Sequence, residues 1–359
     1  MKTYLFPADM NGCGYYRLIW PAEVLQRAGH DVTLVLPKQR DQMMQGRMQG
    51  DTMVDIKVPR DADVIVLQRV THRYLVQAIT LMRKRGIAVV VDFDDDLTCI
   101  HPANPAFNML HPRNGQRDHS WENTLRAADA ATMVTVSTPA LIQRYARRGH
   151  GRVLFNAVPK RMLDVPHNDS DVVGWAGSVH SHPTDLQVMG PTIAQHVQNG
   201  GRFKIAGPIS GVHEALGVNK IVELESTGII HDIEAWPLAV ASLGVGLAPL
   251  ADTKFNAAKS WLKMAEYAAC GVPCIGSPRP EYTRLHKKGI GLLAKSPGEW
   301  RQKIQLLALD LVRRQELSEQ GREAMRSETI EENAWLWYEA WCDALRLQRS
   351  NPLARATAA

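Results

Sequence analysis

Apolar positions along the chain fall into short continuous runs separated by longer amphipathic stretches. "TYLFPA" (3–8) reads as a strand, followed by a glycine-containing loop and a helix from about Tyr15 to Ala28. "DVTLVLP" (31–37) is an unbroken apolar run, the pattern of a strand covered on both faces in a parallel sheet. "ADVIVLQ" (62–68) and "IAVVVDFDDD" (87–96) repeat the signal on either side of the helical "YLVQAITLMRKRG". "AATMVTVST" (130–138) and "GRVLFNAVP" (151–159) close the series. "KRMLDVPHNDSD" (160–171) is polar, contains a proline and lacks strand periodicity, so it reads as a linker. The scheme then restarts with "VVGWAGS" (172–178), "RFKIAG" (202–207), "KIVELE" (220–225), "LGVGLAPL" (243–250) and "VPCIGS" (272–277).

Strands alternating with helices predict α/β domains with doubly wound parallel sheets. The expected architecture is two Rossmann-like domains in tandem, over 1–159 and 172–330, joined by the linker 160–171. A last amphipathic helix, at about 331–347, offers Trp335, Trp337, Tyr338 and Trp341 as apolar surface for packing back onto the first domain.

Composition supports this organisation. A length of 359 residues suits two domains of roughly 100–200 residues each. Hydrophobic residues make up 45% and charged residues 22%, as in an ordinary globular protein. The net charge of +5 is modest, with local basic runs in "LMRKRG" (81–86) and "RYARRGHGR" (144–152). Such charge suits anionic substrates or a weak membrane-surface contact better than nucleic acid; a solvated helix face also accounts for both runs. The start, "MKTYLFPADM", has too short an apolar core for a signal peptide, and no run approaches the ~20 apolar residues of a membrane span. Five cysteines, odd in number and without a CxxC pair, predict a reducing cytoplasm. Cys270 and Cys274 flank a helix-to-strand turn and read as small core residues.

Four segments carry candidate chemistry. The first strand-to-helix turn, "PADMNGCGYYR", has Gly12 and Gly14 but no third glycine at GxGxxG spacing. The second strand ends in Pro37 and Lys38, without the acidic residue that holds a nicotinamide ribose, so a dinucleotide-dependent dehydrogenase is disfavoured. The turn can bring backbone close to a ligand, or it can simply be tight. "DFDDD" (92–96) gathers Asp92, Asp94, Asp95 and Asp96 at a strand end. These carboxylates repel unless they hold a metal, a cation or sugar hydroxyls. Asp92 and Asp94 spell DxD, a short and common pattern from which no metal is inferred. A solvated, helix-capping acidic turn is the plainer alternative. "GWAGSVHSHPTDL" (174–186) places His180 and His182 near Asp185; with no third ligand evident, they read as polar loop residues facing a cleft rather than a metal site.

The fourth segment, "FNAAKSWLKMAEYAACGVPCIGS" (255–277), poses an electrostatic question. Asn256 reads as an N-cap, and Gly271 with Pro273 as a stop, so a helix is expected from about Ala257 to Ala269. Lys259 and Lys263 then lie four apart at its positive end, where cations are unfavourable and repel each other. Lys259, Lys263 and Glu266 share one stripe. A diphosphate at the helix start would resolve the conflict, with Glu266 accepting from ribose hydroxyls. The alternative is an amphipathic surface helix with no ligand.

Here the sequence resembles a retaining GT-B glycosyltransferase. "KMAEYAACGVPCIGS" is similar to that family's "EAxAxGxPVIxS" signature, whose Glu contacts the donor ribose and maps onto Glu266. "GCGYYRLIWPAEVLQRAGHDV" resembles the family's N-terminal Gly loop and first helix. "VTVSTPALIQRY" followed by "VLFNAVP" resembles the end of its acceptor domain, and "VVGWAGS" the start of its donor domain. The resemblance implies two domains facing a cleft and a cytoplasmic enzyme. Its co-substrate would be a nucleotide-diphosphate sugar, UDP- or GDP-linked, and no bound metal or other cofactor would be needed. Taken with the residue readings above, donor binding is expected at Gly12, Gly14, Gly177, Ser178 and Gly207, together with Asn256, Lys259, Ser260, Lys263 and Glu266. Asp94, Asp95 and Lys259 would be catalytic, with Arg17 and Asp92 on the acceptor side. The acceptor would be a glycan, a lipid-linked glycan or a protein. Two departures stand out. The family's second Glu, eight positions earlier, is Ala258 here, and the loop "SVHSHPTDL" lacks the usual Arg and Lys, leaving Lys259 to neutralise the diphosphate. A nucleotide-sugar 2-epimerase on the same fold, or a non-catalytic nucleotide-sugar or glycan-binding module, are the alternative readings.

Overall fold

The structure is a computed structural model describing residues 1–111, 120–166 and 169–350. Positions 167 and 168 of the expected linker lie outside the described residues. The chain divides into two compact units. Unit 1 comprises Met1–Ile100, Ala106–Asn156 and Ile330–Ala359; unit 2 comprises His101–Pro105 and Ala157–Thr329.

Unit 1 is built on a six-stranded parallel sheet. Its strands are β1 (Thr3–Phe6), β2 (Val32–Leu34), β5 (Val64–Gln68), β6 (Ala88–Phe93), β7 (Met133–Val136) and β8 (Gly151–Val153), in the order β2-β1-β5-β6-β7-β8. β5 and β6 are buried along their whole length, as their unbroken Val and Ile runs require. Between β2 and β5 the chain forms an antiparallel hairpin, β3 (Gln45–Gln49) and β4 (Thr52–Lys57), that the apolar pattern did not announce. The helix Ile330–Ser350 belongs to this unit. Trp337 and Trp341 are buried, and the Trp337 indole donates to the Arg17 carbonyl oxygen at 2.7 Å. The expected return of this helix to the first domain is what is found.

Unit 2 repeats the plan. Its strands β9 (Val173–Ala176), β10 (Phe203–Ala206), β11 (Glu225–Ser226), β12 (Val245–Ala248), β13 (Cys274–Gly276) and β14 (Leu292–Leu293) are ordered β11-β10-β9-β12-β13-β14. Counted within the unit this is 3-2-1-4-5-6, the doubly wound order of a Rossmann sheet. Its core gathers Trp175, Ile205, Leu247, Ile275 and Trp300. The strand expected over 220–225 shrinks to Glu225–Ser226, paired with β10 at the sheet edge, and Ile221, 90% exposed, stays outside it. The polar segment after Pro159 differs from an open linker. Lys160–Asp164 form a 3₁₀ helix, because Met162, Leu163 and Val165 find apolar cover and are buried. Among the described residues no helix is long and apolar enough to cross a membrane.

Candidate functional site

In a doubly wound sheet, ligands bind beyond the carboxyl ends of the strands where the strand order reverses. In unit 2 that point lies between β9 and β12. Gly177 and Gly207 end neighbouring strands with φ of +149° and +145°. A Cβ on Gly207 would lie 2.1 Å from the Gly177 carbonyl oxygen, so the two turns approach too closely for any side chain there. Beside them, the Tyr267 hydroxyl accepts from the Ala176 N–H at 2.8 Å and donates to the Leu247 carbonyl at 2.9 Å, tying the ends of β9 and β12 together.

The lysine segment departs from the continuous helix expected over 257–269. A short helix, Lys254–Ala257, is capped by Thr253, whose hydroxyl accepts from the Asn256 N–H at 3.1 Å. The chain then breaks, and a second helix runs from Leu262 to Ala269. Asn256 is therefore not the N-cap. It is buried, and its carboxamide donates to Asp185 Oδ1 at 2.7 Å and to the Ala251 carbonyl at 3.1 Å. This anchor holds the short helix in place, and the chain restarts its winding after it. Lys259 lies in the break, its ammonium 4.6 Å from the Phe255 ring centre, and Ser260 is half-buried next to it. Lys263, not Lys259, occupies the first turn. Its Nζ donates to the Ala176 carbonyl oxygen and stands 5.2 Å from the Trp175 ring centre. Burial lowers its pKa to about 8; the Lys259 charge adds to that, while Glu266 and Asp185 oppose it. An ammonium kept at the positive end of a helix, partly stripped of water, is stabilised by an arriving anion.

Glu266 follows one turn later and is 7% exposed; its Oε1 accepts from the Trp236 indole N–H at 2.9 Å. On the other side, Asp185 joins the two loops that flank the crevice. Its Oδ2 pairs with His182 Nδ1 at 2.7 Å, and its Oδ1 accepts from the Ala251 N–H at 2.9 Å as well as from Asn256. Burial pushes the Asp185 carboxyl up, but these donors hold it below its ordinary value. Burial lowers the His182 pKa below its ordinary value; the hydrogen bond to Asp185 opposes this, and the charges of Lys263 and Lys259 add to it. Ser178 contributes its carbonyl to the turn that sets His182.

Unit 1 has its own reversal point, between β1 and β5. Gly14 is required there, since a Cβ would fall 2.0 Å from the Asp9 carbonyl oxygen; around Gly12 the space is open. The Cys13 thiol donates to Asp9 Oδ2 at 3.1 Å, and burial pushes its pKa up. Arg69, at the end of β5, is the one non-glycine residue with positive φ among the described residues, at +49°. Such a conformation costs about 1–3 kcal/mol and persists where its surroundings over-determine it. Here Arg69 Nε and Nη2 donate to the two Asp94 oxygens at 2.5 and 2.6 Å, and Nη2 reaches Asp95 at 3.2 Å.

The four aspartates of "DFDDD" thus each meet a guanidinium. Asp96 pairs with Arg144, and Asp92 with Arg17 through two hydrogen bonds of 3.0 and 2.7 Å. This corrects the reading of Arg17 and Asp92 as acceptor-side ligands. Both side chains are fully buried, Asp92 also accepts from Thr135, and Arg17 reaches Asn156, so the pair fastens the core of unit 1. Among the described residues no group of three or more His, Cys, Asp or Glu is placed to hold a metal ion. Trp236 and Arg69 were not singled out from the sequence, and Asp185 was noted only beside His180 and His182 as a polar loop residue. Only the strand-end position of Arg69, directly after "VIVLQ", pointed to it.

No protein-family model and no curated protein matches this chain. Solved structures do. Sucrose-phosphate synthase from Thermosynechococcus elongatus aligns over 96% of this chain and 100% of its own at 14% identity, with a TM-score of 0.63. A glycosyltransferase from Rickettsia africae aligns over 96% and 99% at 12% identity, with a TM-score of 0.64. HepE from Anabaena, solved with UDP and glucose, aligns over 94% and 98% at 13% identity, with a TM-score of 0.62. At such identities the likeness establishes the fold, a GT-B-type pair of Rossmann-like domains, in agreement with the expectation from sequence.

Proposed function

We propose that this protein is a glycosyltransferase that takes a nucleotide-diphosphate sugar on unit 2 and passes the sugar to an acceptor with retention of anomeric configuration. The observation that carries this reading is Lys263, an ammonium placed in the first turn of a helix at the reversal point of the unit 2 sheet. The helix start, Lys263 and neighbouring Lys259 together offer a diphosphate a positive seat. As the sugar leaves, charge develops on the diphosphate, and groups already oriented there stabilise it without reorganisation. Gly177, Ser178 and Gly207 let the backbone approach the ligand, and Asn256 with Asp185 keeps the two flanking loops in place. Glu266 accepts from the ribose hydroxyls. In unit 1, Asp94 and Asp95 with Arg69 form a polar cluster suited to an acceptor hydroxyl, with Asp94 or Asp95 as the candidate to receive its proton. The presence of UDP in the solved HepE structure makes UDP-sugars the first donors to try. The acceptor class we favour is a glycan, free or lipid-linked, or a glycosylated protein.

The test is incubation with UDP- and GDP-sugars labelled at the anomeric carbon. Release or transfer of sugar, reduced at least tenfold in Lys263→Ala, supports the reading, and the anomeric configuration of the product tests retention. Binding without turnover of any donor would leave a binding module instead, and isomerisation of the donor sugar would mean an epimerase.

A further inference from the structure

The Trp236 indole N–H is aimed at Glu266 Oε1 at 2.9 Å. The two residues are 30 positions apart and come from different helices, Trp236–Ala241 and Leu262–Ala269. Trp236 opens its helix directly after the 3₁₀ turn Ile233–Ala235, in the connection between β11 and β12. It is partly exposed, while Glu266 is 7% exposed. A Glu side chain has three rotatable torsions and loses much rotamer freedom when ordered. A buried carboxylate with one oxygen held by a rigid indole donor is restricted in the orientations it can present. Trp236→Phe keeps an aromatic side chain, smaller than the indole, and removes that donor.

Resting on the reading that Glu266 meets the donor ribose, we infer that Trp236 is a positioning residue that orients the Glu266 carboxylate and thereby sets preference for ribonucleotide over deoxyribonucleotide donors. A vicinal ribose diol presents two hydroxyls to one carboxylate, and both bonds form well only when the carboxylate plane is held. A deoxyribose presents one hydroxyl and depends far less on that plane. Loss of the indole donor should therefore weaken the ribonucleotide selectively.

The experiment measures, by calorimetry, binding of UDP and 2′-deoxy-UDP, and of the GDP pair in parallel. The proteins are wild type, Trp236→Phe, Glu266→Ala and the double variant. A general loosening of the fold weakens both nucleotides alike, so the ratio of the two affinities is the readout. The expected result is a wild-type preference for the ribonucleotide that falls roughly tenfold in Trp236→Phe, the order expected for one hydrogen bond to a charged group. In the Glu266→Ala background, adding Trp236→Phe should change the ratio no further. An unchanged ratio in Trp236→Phe overturns the inference and leaves the ribose reading standing. A further fall in the ratio when Trp236→Phe is added to Glu266→Ala also overturns it, because Trp236 would then act on the nucleotide without Glu266. If wild type itself shows no preference for ribose, or binds neither ribonucleotide, the ribose reading falls and this inference falls with it.

Discussion

Asp92 and Lys263 are both charged groups held largely away from water, but the counterion of Asp92 is inside the protein. Removing one member of a buried ion pair costs about 3–5 kcal/mol, because the other charge stays behind. Asp92→Ala, which strands Arg17, should therefore lower the urea midpoint of unit 1 strongly. A variant that folded with wild-type stability and lost only sugar transfer would contradict the structural role assigned to this pair. Lys263 behaves differently. Its pKa in the folded protein is about 8, below the ordinary 10.5. Between those values the unfolded chain binds more protons, so the free protein should gain stability as pH rises through that window. A bound diphosphate favours the charged lysine, so nucleoside diphosphate binding should take up a proton at pH 8.5 and almost none at pH 6.5. Calorimetry in buffers of different ionisation enthalpy measures this uptake, and Lys263→Met should abolish it. Uptake that persists in that variant would move the linkage to another group, such as His182.

At the scale of elements, the crevice of unit 2 depends on how β9 and β12 are held at their carboxyl ends. The Tyr267 hydroxyl serves a buried N–H of one strand and a carbonyl of the other. Tyr267→Phe leaves both unsatisfied, at about 1–3 kcal/mol each. The expected outcome is a lower melting temperature together with faster amide exchange at Ala176, whereas unchanged exchange there would mean that water replaces the hydroxyl. The strands themselves were legible beforehand, because a parallel strand covered on both faces must be apolar throughout, as "VIVLQ" and "AVVVDF" are. The hairpin of β3 and β4 escaped notice although Gly50 and Asp51 form its two-residue turn, since its strands are largely exposed and lack a clean apolar alternation. The helix break after Ala257 could not be read locally. It depends on Asn256 meeting Asp185, 71 positions away. The same holds for the aspartates of "DFDDD". Their repulsion was evident, but the arginines that relieve it come from distant segments. Of the candidate site, Lys263 and Glu266 were found through their helix-period spacing and Asp185 was noted in its loop, whereas Trp236 and the partners of Asp185 needed the fold.

At the scale of the whole molecule, unit 2 is continuous from Ala157 to Thr329 apart from His101–Pro105, whereas unit 1 is completed by the helix beginning at Ile330. A chain ending at Thr329 should lose the cover that Trp337 and Trp341 give unit 1, at several kcal/mol for the large side chains alone. Its thermal unfolding should show unit 1 melting early or not cooperatively, while a transition from unit 2 survives and still rises with nucleoside diphosphate. Loss of both transitions together would mean that the units do not fold independently. The position of that last helix also sets an order of events during synthesis. The sheet made first is finished last: Arg17, its carbonyl waiting for the Trp337 indole, leaves the ribosome more than three hundred residues before its partner, at roughly 5–20 residues per second. For that interval, tens of seconds long, the newborn first half has an uncovered apolar face while the second half, which ends at Thr329, is still being made. A chaperone that shields the nascent chain would thus be needed most by the part of the protein that was made earliest.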